Sequence, residues 1–414
     1  MKKISKLLTG LSILFALQAC TKDFQYEKYT FYRPMYETKA AVKANVKSNA
    51  PRAIESPGKI YVKGNIVFLN DINNGIHVID YSNPSAPVNK AFVNIPGCKD
   101  IAVKGNYLYA DCYTDLLTID IADVNNVVLK NYINGVFPNR YLDAGIGTDT
   151  GKVIVEWIRV DTMIKKEMGV REDWWSNGGV LFNSPGLSNA SSGGQQNGIG
   201  GSMAAFALSG NRLYTVDNAN LKVFNTVNAA APQYISNVTL GSWNIETIFP
   251  FQDKLFIGSQ NGMLIYSLAN VDAPAFVSAF QHATMCDPVI ADGTTAYVTL
   301  RSGTRCTGIS NQMDVLNIQN VTNPQLIKTY SMTNPAGLSK DGDKLLVCDG
   351  AGGLKMFDAS NSANITQKAI IGSLNGYDVI AVNGTAIVSA SDGIYFVDYT
   401  QASTLTIKGK INVN

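Results

Sequence analysis

The sequence predicts an all-β protein, because a tight turn followed by an alternating apolar run recurs seven times along its 414 residues. The copies are VKGNIVFLN (62–70), VKGNYLYAD (103–111), LSGNRLYTV (208–216), FQDKLFIGS (251–259), ADGTTAYVT (291–299), KDGDKLLVC (340–348) and VNGTAIVSA (382–390). A second alternating run follows each: GIHVID (75–80), LLTIDI (116–121), LKVFN (221–225), MLIYSL (263–268), MDVLNI (313–318), LKMFD (354–358) and IYFVD (394–398). Gly, Asp and Asn in the turns supply the positive backbone angles of a hairpin, and period-two alternation marks strands with one buried face. A period of about 40–45 residues holding about four strands belongs to a unit that must stack on its neighbours to bury its faces, which is a β-propeller blade. A single propeller of seven four-stranded antiparallel blades is expected, with eight as the competing count.

In chain order, Lys2, Lys3 and Lys6 precede a short apolar core, LLTGLSILFAL (7–17), which closes on Gln18-Ala19-Cys20. Residues 1–19 therefore read as a signal peptide, too short and wrongly flanked for a stop-transfer helix. The Leu-Gln-Ala-Cys ending resembles the lipobox of bacterial lipoproteins, which implies an acylated Cys20 and, since Thr21 rather than aspartate follows, the outer membrane. An ordinary secretory signal with a chance cysteine is the alternative. Residues 20–55 are polar and tyrosine-rich without a clear period, and read as a lipidated tether. The repeats fill 56–412. Between Gly105 and Gly210 the spacing stretches to about two and a half periods, so 135–200 reads as an insertion between blades two and three. Within it, GKVIVEWIRVDTMI (151–164) alternates like a hairpin arm and NSPGLSNASSGGQQNGIGG (183–201) is loop-like. A degenerate eighth blade is the competing reading of this stretch.

The run GIHVIDYSNPSAP (75–87) resembles the LVIVD repeat of bacterial and archaeal surface proteins, with weaker copies of its tail at VNAAAPQY (227–234), NVDAPAF (270–276) and NVTNPQL (320–326). WNIETIFPFQDKLFIGSQNGM (243–263), CDPVIADGTTAYVTLRSGTRC (286–306) and LLVCDGAGGLKMFD (345–358) resemble the lipid-anchored members common in Bacteroidetes. That resemblance implies a β-propeller surface lipoprotein. It carries a fold and an address, not a reaction.

Composition narrows the function classes. A 46 % apolar, 16 % charged chain fits an all-β body, and a net charge of +2 with no basic run argues against a nucleic-acid partner. The only histidines are His77 and His282, a scarcity that weighs against His-based metal or triad chemistry, and no HExxH, GxSxG or phosphate-loop spacing is present, which lowers the enzyme reading without excluding it.

Aligning the blades on their turns places Lys59, Asp100, Ala205, Glu246, Asp287, Ala336 and Asp378 where the chain enters the innermost strand. Asp100, Glu246, Asp287 and Asp378 would then converge on one channel mouth, where they would repel unless a cation, an arginine or water intervenes. This admits a bound cation or a polyhydroxyl ligand; the plainer account is that the carboxylates cap strand ends. Trp243, in the loop entering blade four, and Trp157, Trp174 and Trp175, in the insertion, would overlook the same face. Aromatic planes beside carboxylates stack sugars, although packing under a long loop explains tryptophan equally well. Arg301 is placed to reach the mouth or to form a rim ion pair. Disulfides are expected between Cys98 and Cys112 and between Cys286 and Cys306, each pair bracketing one hairpin in an oxidising compartment, with Cys348 left as a thiol. No cofactor is expected. The reading is a non-catalytic envelope or surface scaffold whose partners are the membrane and a glycan, polyhydroxyl ligand or envelope protein. A glycan- or lactone-hydrolysing propeller enzyme and a structural subunit of an envelope complex are the alternatives.

Overall fold

The computed structural model describes residues 24–138, 151–167, 199–242, 245–281, 288–302 and 311–413. They fall into two compact units, one of residues 24–39 with 151–167 and one containing the remainder.

The larger unit contains seven antiparallel sheets of four consecutive strands, spanning 57–94, 101–133, 206–239, 245–281, 289–331, 338–371 and 376–412. In the first, the strands are Pro57–Lys63, Ile66–Asp71, Gly75–Asp80 and Val88–Asn94. The second and third strands are almost wholly buried, because a neighbouring sheet covers each face, while the fourth is partly exposed. Hence the repeat alternates imperfectly: VFL and HVI are inner residues on both faces. The first turn of each sheet requires a positive φ, which Gly105 adopts at +56°; in the fourth sheet Gln252 takes the equivalent place at φ 52°.

Every sheet also carries a β-bulge where its third and fourth strands pair, leaving Lys90, Lys130, Ile235, Val277, Ile327, Lys368 and Lys408 as the extra residues. The four lysines pair with the aspartates that end the third strands, Asp80, Asp120, Asp358 and Asp398, at 3.1–3.7 Å. The three aliphatic residues instead pack inward on the core. Bulges and edge lysines both discourage an outer strand from pairing with other chains.

Apolar side chains fill the spaces between sheets. Tyr214 and Val223 meet Ile248 and Ile257 between the third and fourth, and Met356 meets Val379 and Val388 between the sixth and seventh. The seventh sheet packs on the first in the same way, Ile380, Ile387 and Phe396 against Ile60, Val62 and Leu69, beside a bridge from Ile54 to Val413.

Two sequence expectations need correction. The tether, read as such for want of a clear period, contains a strand: Phe24–Thr38 pairs antiparallel with Lys152–Glu167 of the insertion, forming the smaller unit. Its period was invisible locally because the partner strand lies far along the chain, Tyr32 opposite Arg159. A short helix, Lys39–Ala44, and a strand, Lys47–Asn49, follow, and the strand extends the outer edge of the first sheet. The bridge from Cys98 to Cys112 is not made. Ile101 lies opposite Ala110, so continuing the register sets Cys112 across from Lys99 rather than Cys98. Both are buried thiols: Cys98 donates to the Asp100 carbonyl at 3.7 Å and Cys112 to that of Pro96 at 3.2 Å. Cys348 is a buried thiol as well. Cys20, Cys286 and Cys306 lie outside the described residues.

Candidate functional site

Among the described residues where the chain enters the first strands, Asp100 and Asp378 are buried and Glu246 is half-buried. Asp100 is buried and forms an ion pair with the buried Lys59 of the first sheet. It also accepts the N–H of Ala205, at the start of the third sheet, at 2.6 Å and that of Ile101 at 2.9 Å. It therefore ties three sheets together, as the strand-capping account requires. Asp378 is fully buried, its carboxylate pressed against two glycines: a Cβ built on Gly201 or Gly337 would fall 1.9 or 2.5 Å from its oxygens. Its charge reaches Cys348, whose thiol is pushed well up by burial first and then by Asp378 and Asp349.

Glu246, Gln260, Arg301 and Tyr377 form a second, half-buried group. Gln260 Nε2 donates to Glu246 Oε1 at 3.2 Å. Burial lowers the pKa of the Arg301 guanidinium, and the nearby Glu246 and Tyr377 offset part of that shift. Arg301 thus faces an acid, as its sequence position allowed. Asp287, Trp174, Trp175 and Trp243 lie outside the described residues, and Trp157 falls on the strand Lys152–Glu167 of the smaller unit.

A feature that sequence reasoning left unresolved passes among the first strands. Residues Ile199–Gly200 pair with Tyr61 and Val62 on the free edge of Pro57–Lys63. The chain then runs on, buried, through Ala204. Gly201 donates its N–H to the Ile60 carbonyl at 3.2 Å, Ser202 Oγ accepts the N–H of Leu338 at 2.7 Å, and the Ala204 carbonyl accepts that of Ile248 at 2.9 Å. Met203 packs with Ala336, Leu346 and Val379. Six residues thus touch the first, fourth, sixth and seventh sheets, and Asp378 forms one wall of their path. The Gly-rich end of the insertion, NGIGG (197–201), was the available signal: only residues without side chains fit against a buried carboxylate.

Sequence reasoning also missed a second set of carboxylates. Asp71 and Asp217 end the second strands of their sheets, Asp111 is the next-to-last residue of its own, and Asp349 directly follows its own. Asp71 accepts the N–H groups of Glu55 and Ser56, Asp111 those of Lys99 and Asp100, and Asp349 those of Thr333 and Asn334. Asp71, Asp111 and Asp349 thus each hold the segment that leads into the first strand of their own sheet. Lys355 Nζ reaches Asp349 at 2.5 Å, and His77 Nε2 lies 3.1 Å from Asp71 with Asn89 Nδ2 at 3.1 Å from its Nδ1. His77 is fully buried against Phe92, so it serves this clamp and meets no solvent. The aspartate closing four of the alternating runs was the legible signal. Among the described residues, no group of three or more His, Cys, Asp or Glu side chains is arranged to hold a metal ion.

Two copies of the LVIVD repeat are matched, at residues 57–94 and 97–134. They coincide with the first two sheets. No curated protein matches the chain. Among solved structures, the chain is similar to the periplasmic gluconolactonase PpgL of Pseudomonas aeruginosa, at 12 % identity over 87 % of this chain and 98 % of that one, with a TM-score of 0.51. It is similar also to the computationally designed protein Ika8, at 10 % identity over 88 % and 91 %, with a TM-score of 0.51. PpgL is a β-propeller, and at such identity the likeness is one of fold alone.

Proposed function

We propose that this chain is a lipid-anchored cell-envelope protein whose seven sheets close into one propeller, and that the propeller binds or docks rather than catalyses. The observation that carries the reading is the path of residues 199–204, which runs buried along first strands of four sheets, where a propeller's axial site would open. Glycoside chemistry needs two available carboxyl groups about 5–10 Å apart. Asp100 is committed to Lys59 and two backbone N–H groups, and Asp378 is walled in by Gly201 and Gly337. Lys59 beside Asp100 and Arg301 beside Glu246 supply positive charge that a bound cation would otherwise bring to those two acids, so the reading invokes no cation.

Glu246, Gln260, Arg301 and Tyr377 remain half-exposed, and together they offer acceptors, a guanidinium fork and a ring edge. That set suits a polyhydroxyl ligand such as a glycan, whose hydroxyls donate to the carboxylate and accept from the guanidinium. Calorimetric titration with soluble oligosaccharides tests it. Glu246→Ala and Arg301→Ala should each weaken binding by about tenfold or more, the loss of one charge-assisted hydrogen bond, with an unchanged melting temperature. Turnover of lactones or glycosides that disappears in Glu246→Ala would establish the enzyme reading instead. For the anchor, Cys20→Ser should move the protein from the membrane fraction to the soluble one. Lipid labelling that persists in this variant would refute acylation at Cys20.

A further inference from the structure

Glu246, Arg301 and Tyr377 all stand where regular strand pairing stops. In the fourth sheet Ile245 pairs with Ser259 and Thr247 with Gly258, so Glu246 is the extra residue of a β-bulge. Tyr377 is the extra residue of an equivalent bulge in the seventh sheet, between the pairs Gly376–Ala390 and Asp378–Ser389. Arg301 directly follows the strand Thr295–Leu300. A bulge or a strand end re-aims a side chain, and it also disrupts the ladder that would otherwise fix its place. The position of these three groups must then be set by other hydrogen bonds.

Those bonds meet at three consecutive residues entering the sixth sheet. The Ala336 carbonyl accepts from Thr299 Oγ1 at 2.7 Å. In extended chain alternate residues share a face, so Thr299 projects from the same side as Arg301. Gly337 donates its N–H to the Tyr377 carbonyl at 2.7 Å. Leu338 donates its own to Ser202 Oγ at 2.7 Å. Two residues beyond Ser202, the Ala204 carbonyl accepts the N–H of Ile248 at 2.9 Å, and Ile248 lies two residues beyond Glu246. Thr299 and Ser202 are both buried, and water does not compete for these bonds. One run of hydrogen bonds thus joins the backbones that carry Glu246, Arg301 and Tyr377.

We propose that Thr299 and Ser202 are positioning residues for the ligand group: through Ala336–Leu338 they set the guanidinium of Arg301 against Tyr377 and Glu246. The proposal rests on the reading that this group binds a polyhydroxyl ligand. Such a ligand must meet a carboxylate and a guanidinium at once, and tolerates displacements of only about 0.5 Å between them. The end of the insertion thereby takes part in binding without touching the ligand.

Arginine side-chain NMR of the full chain, with no ligand added, reads the position of Arg301 directly. Its Nε–H signal is the one lost in Arg301→Lys. Thr299→Val keeps the shape of the side chain and removes the hydroxyl, so the Arg301 signal should shift and exchange faster with water. Thr299→Ser keeps the hydroxyl and should restore the parental signal. Ser202→Ala should move the same signal, and it decides the matter alone if Thr299→Val does not fold. Calorimetric titration with maltohexaose, cellohexaose and chitohexaose follows. Whichever of them binds the parent should bind Thr299→Val about tenfold more weakly, the effect of losing one buried hydrogen bond, and Thr299→Ser like the parent. An Arg301 signal unmoved in Thr299→Val or in Ser202→Ala overturns the proposal, as does a shift that Thr299→Ser fails to reverse. If the signal responds as expected but none of the three sugars binds the parent, the binding reading falls and the positioning role stands.

Discussion

At the scale of single residues, the buried carboxylate of Asp71 makes this fold sensitive to acid. Burial alone would raise the pKa of Asp71, but hydrogen bonds from His77, Asn74 and the N–H groups of Glu55 and Ser56 outweigh it and bring the group down to about 2 from its ordinary 3.8. A folded value below the unfolded one means that the stabilisation is complete above about pH 4 and is lost as pH falls towards 2. Its size is roughly 2 kcal/mol. In an acid titration of unfolding free energy, Asp71→Asn should be less stable than the parent at neutral pH, and the gap should narrow below pH 4. Asp398 is also drawn down to about 2, by Thr400 and Lys408, but it lies at the surface where solvent screens the pair, so Asp398→Asn should change the acid limb far less. The turn of the fourth sheet gives a prediction of the opposite sign. Gln252 holds a left-handed backbone angle that the other sheets mostly assign to glycine or asparagine. Gln252→Gly should stabilise the protein by about 0.5–1 kcal/mol in chemical denaturation, the relief of a strained angle less the added freedom of the unfolded chain.

At the scale of elements, the segment through Gly201 is the part most tightly specified by its surroundings. Gly201→Ala would place a methyl group into the Asp378 carboxylate, which has no room to retreat because Gly337 holds its other side. A cost of about 1–3 kcal/mol is expected, together with faster proteolysis at residues 199–204. Asp378→Ala in the same chain should recover part of that loss, and failure to recover it would mean that the two groups do not meet. The strands of the seven repeats were legible because each pairs with its chain neighbour, so turn, alternation and spacing repeat within one short window. The two strands of the smaller unit and the strand through Gly200 were not, since their partners lie well over a hundred residues away and no local period records such pairing. Of the mouth acids, Asp100 stands just before its first strand, Glu246 and Asp378 stand at the second and third residues of theirs, and Asp287 lies outside the described residues. Asp100 follows the plainer account, strand capping, while its ion pair with Lys59 was not legible, because a sequence shows that the two occupy equivalent positions but not that those positions are adjacent in space.

At the scale of the whole molecule, closure of the seven sheets is what separates a propeller from an open stack, and packing energetics can test it directly. Ile387 is fully buried where the seventh sheet meets the first, and Ile257 is fully buried where the third meets the fourth. In an open stack the first and last sheets are ends that fray, and local unfolding there is cheap. A ring has no ends, so every junction contributes to one cooperative unit. Ile387→Ala and Ile257→Ala should then cost similar amounts, about 2–5 kcal/mol each. Both should lower the midpoint of a single denaturation transition without changing its slope. Removing the last strand, Thr406–Asn412, takes away the chain next to the Ile54–Val413 bridge and exposes a new sheet edge. That truncation should therefore aggregate rather than fold with one frayed end. If Ile387→Ala proves mild while Ile257→Ala is severe, or if the truncated protein unfolds in two steps, the sheets form an open row, and the case for a closed propeller fails whatever the number of its blades.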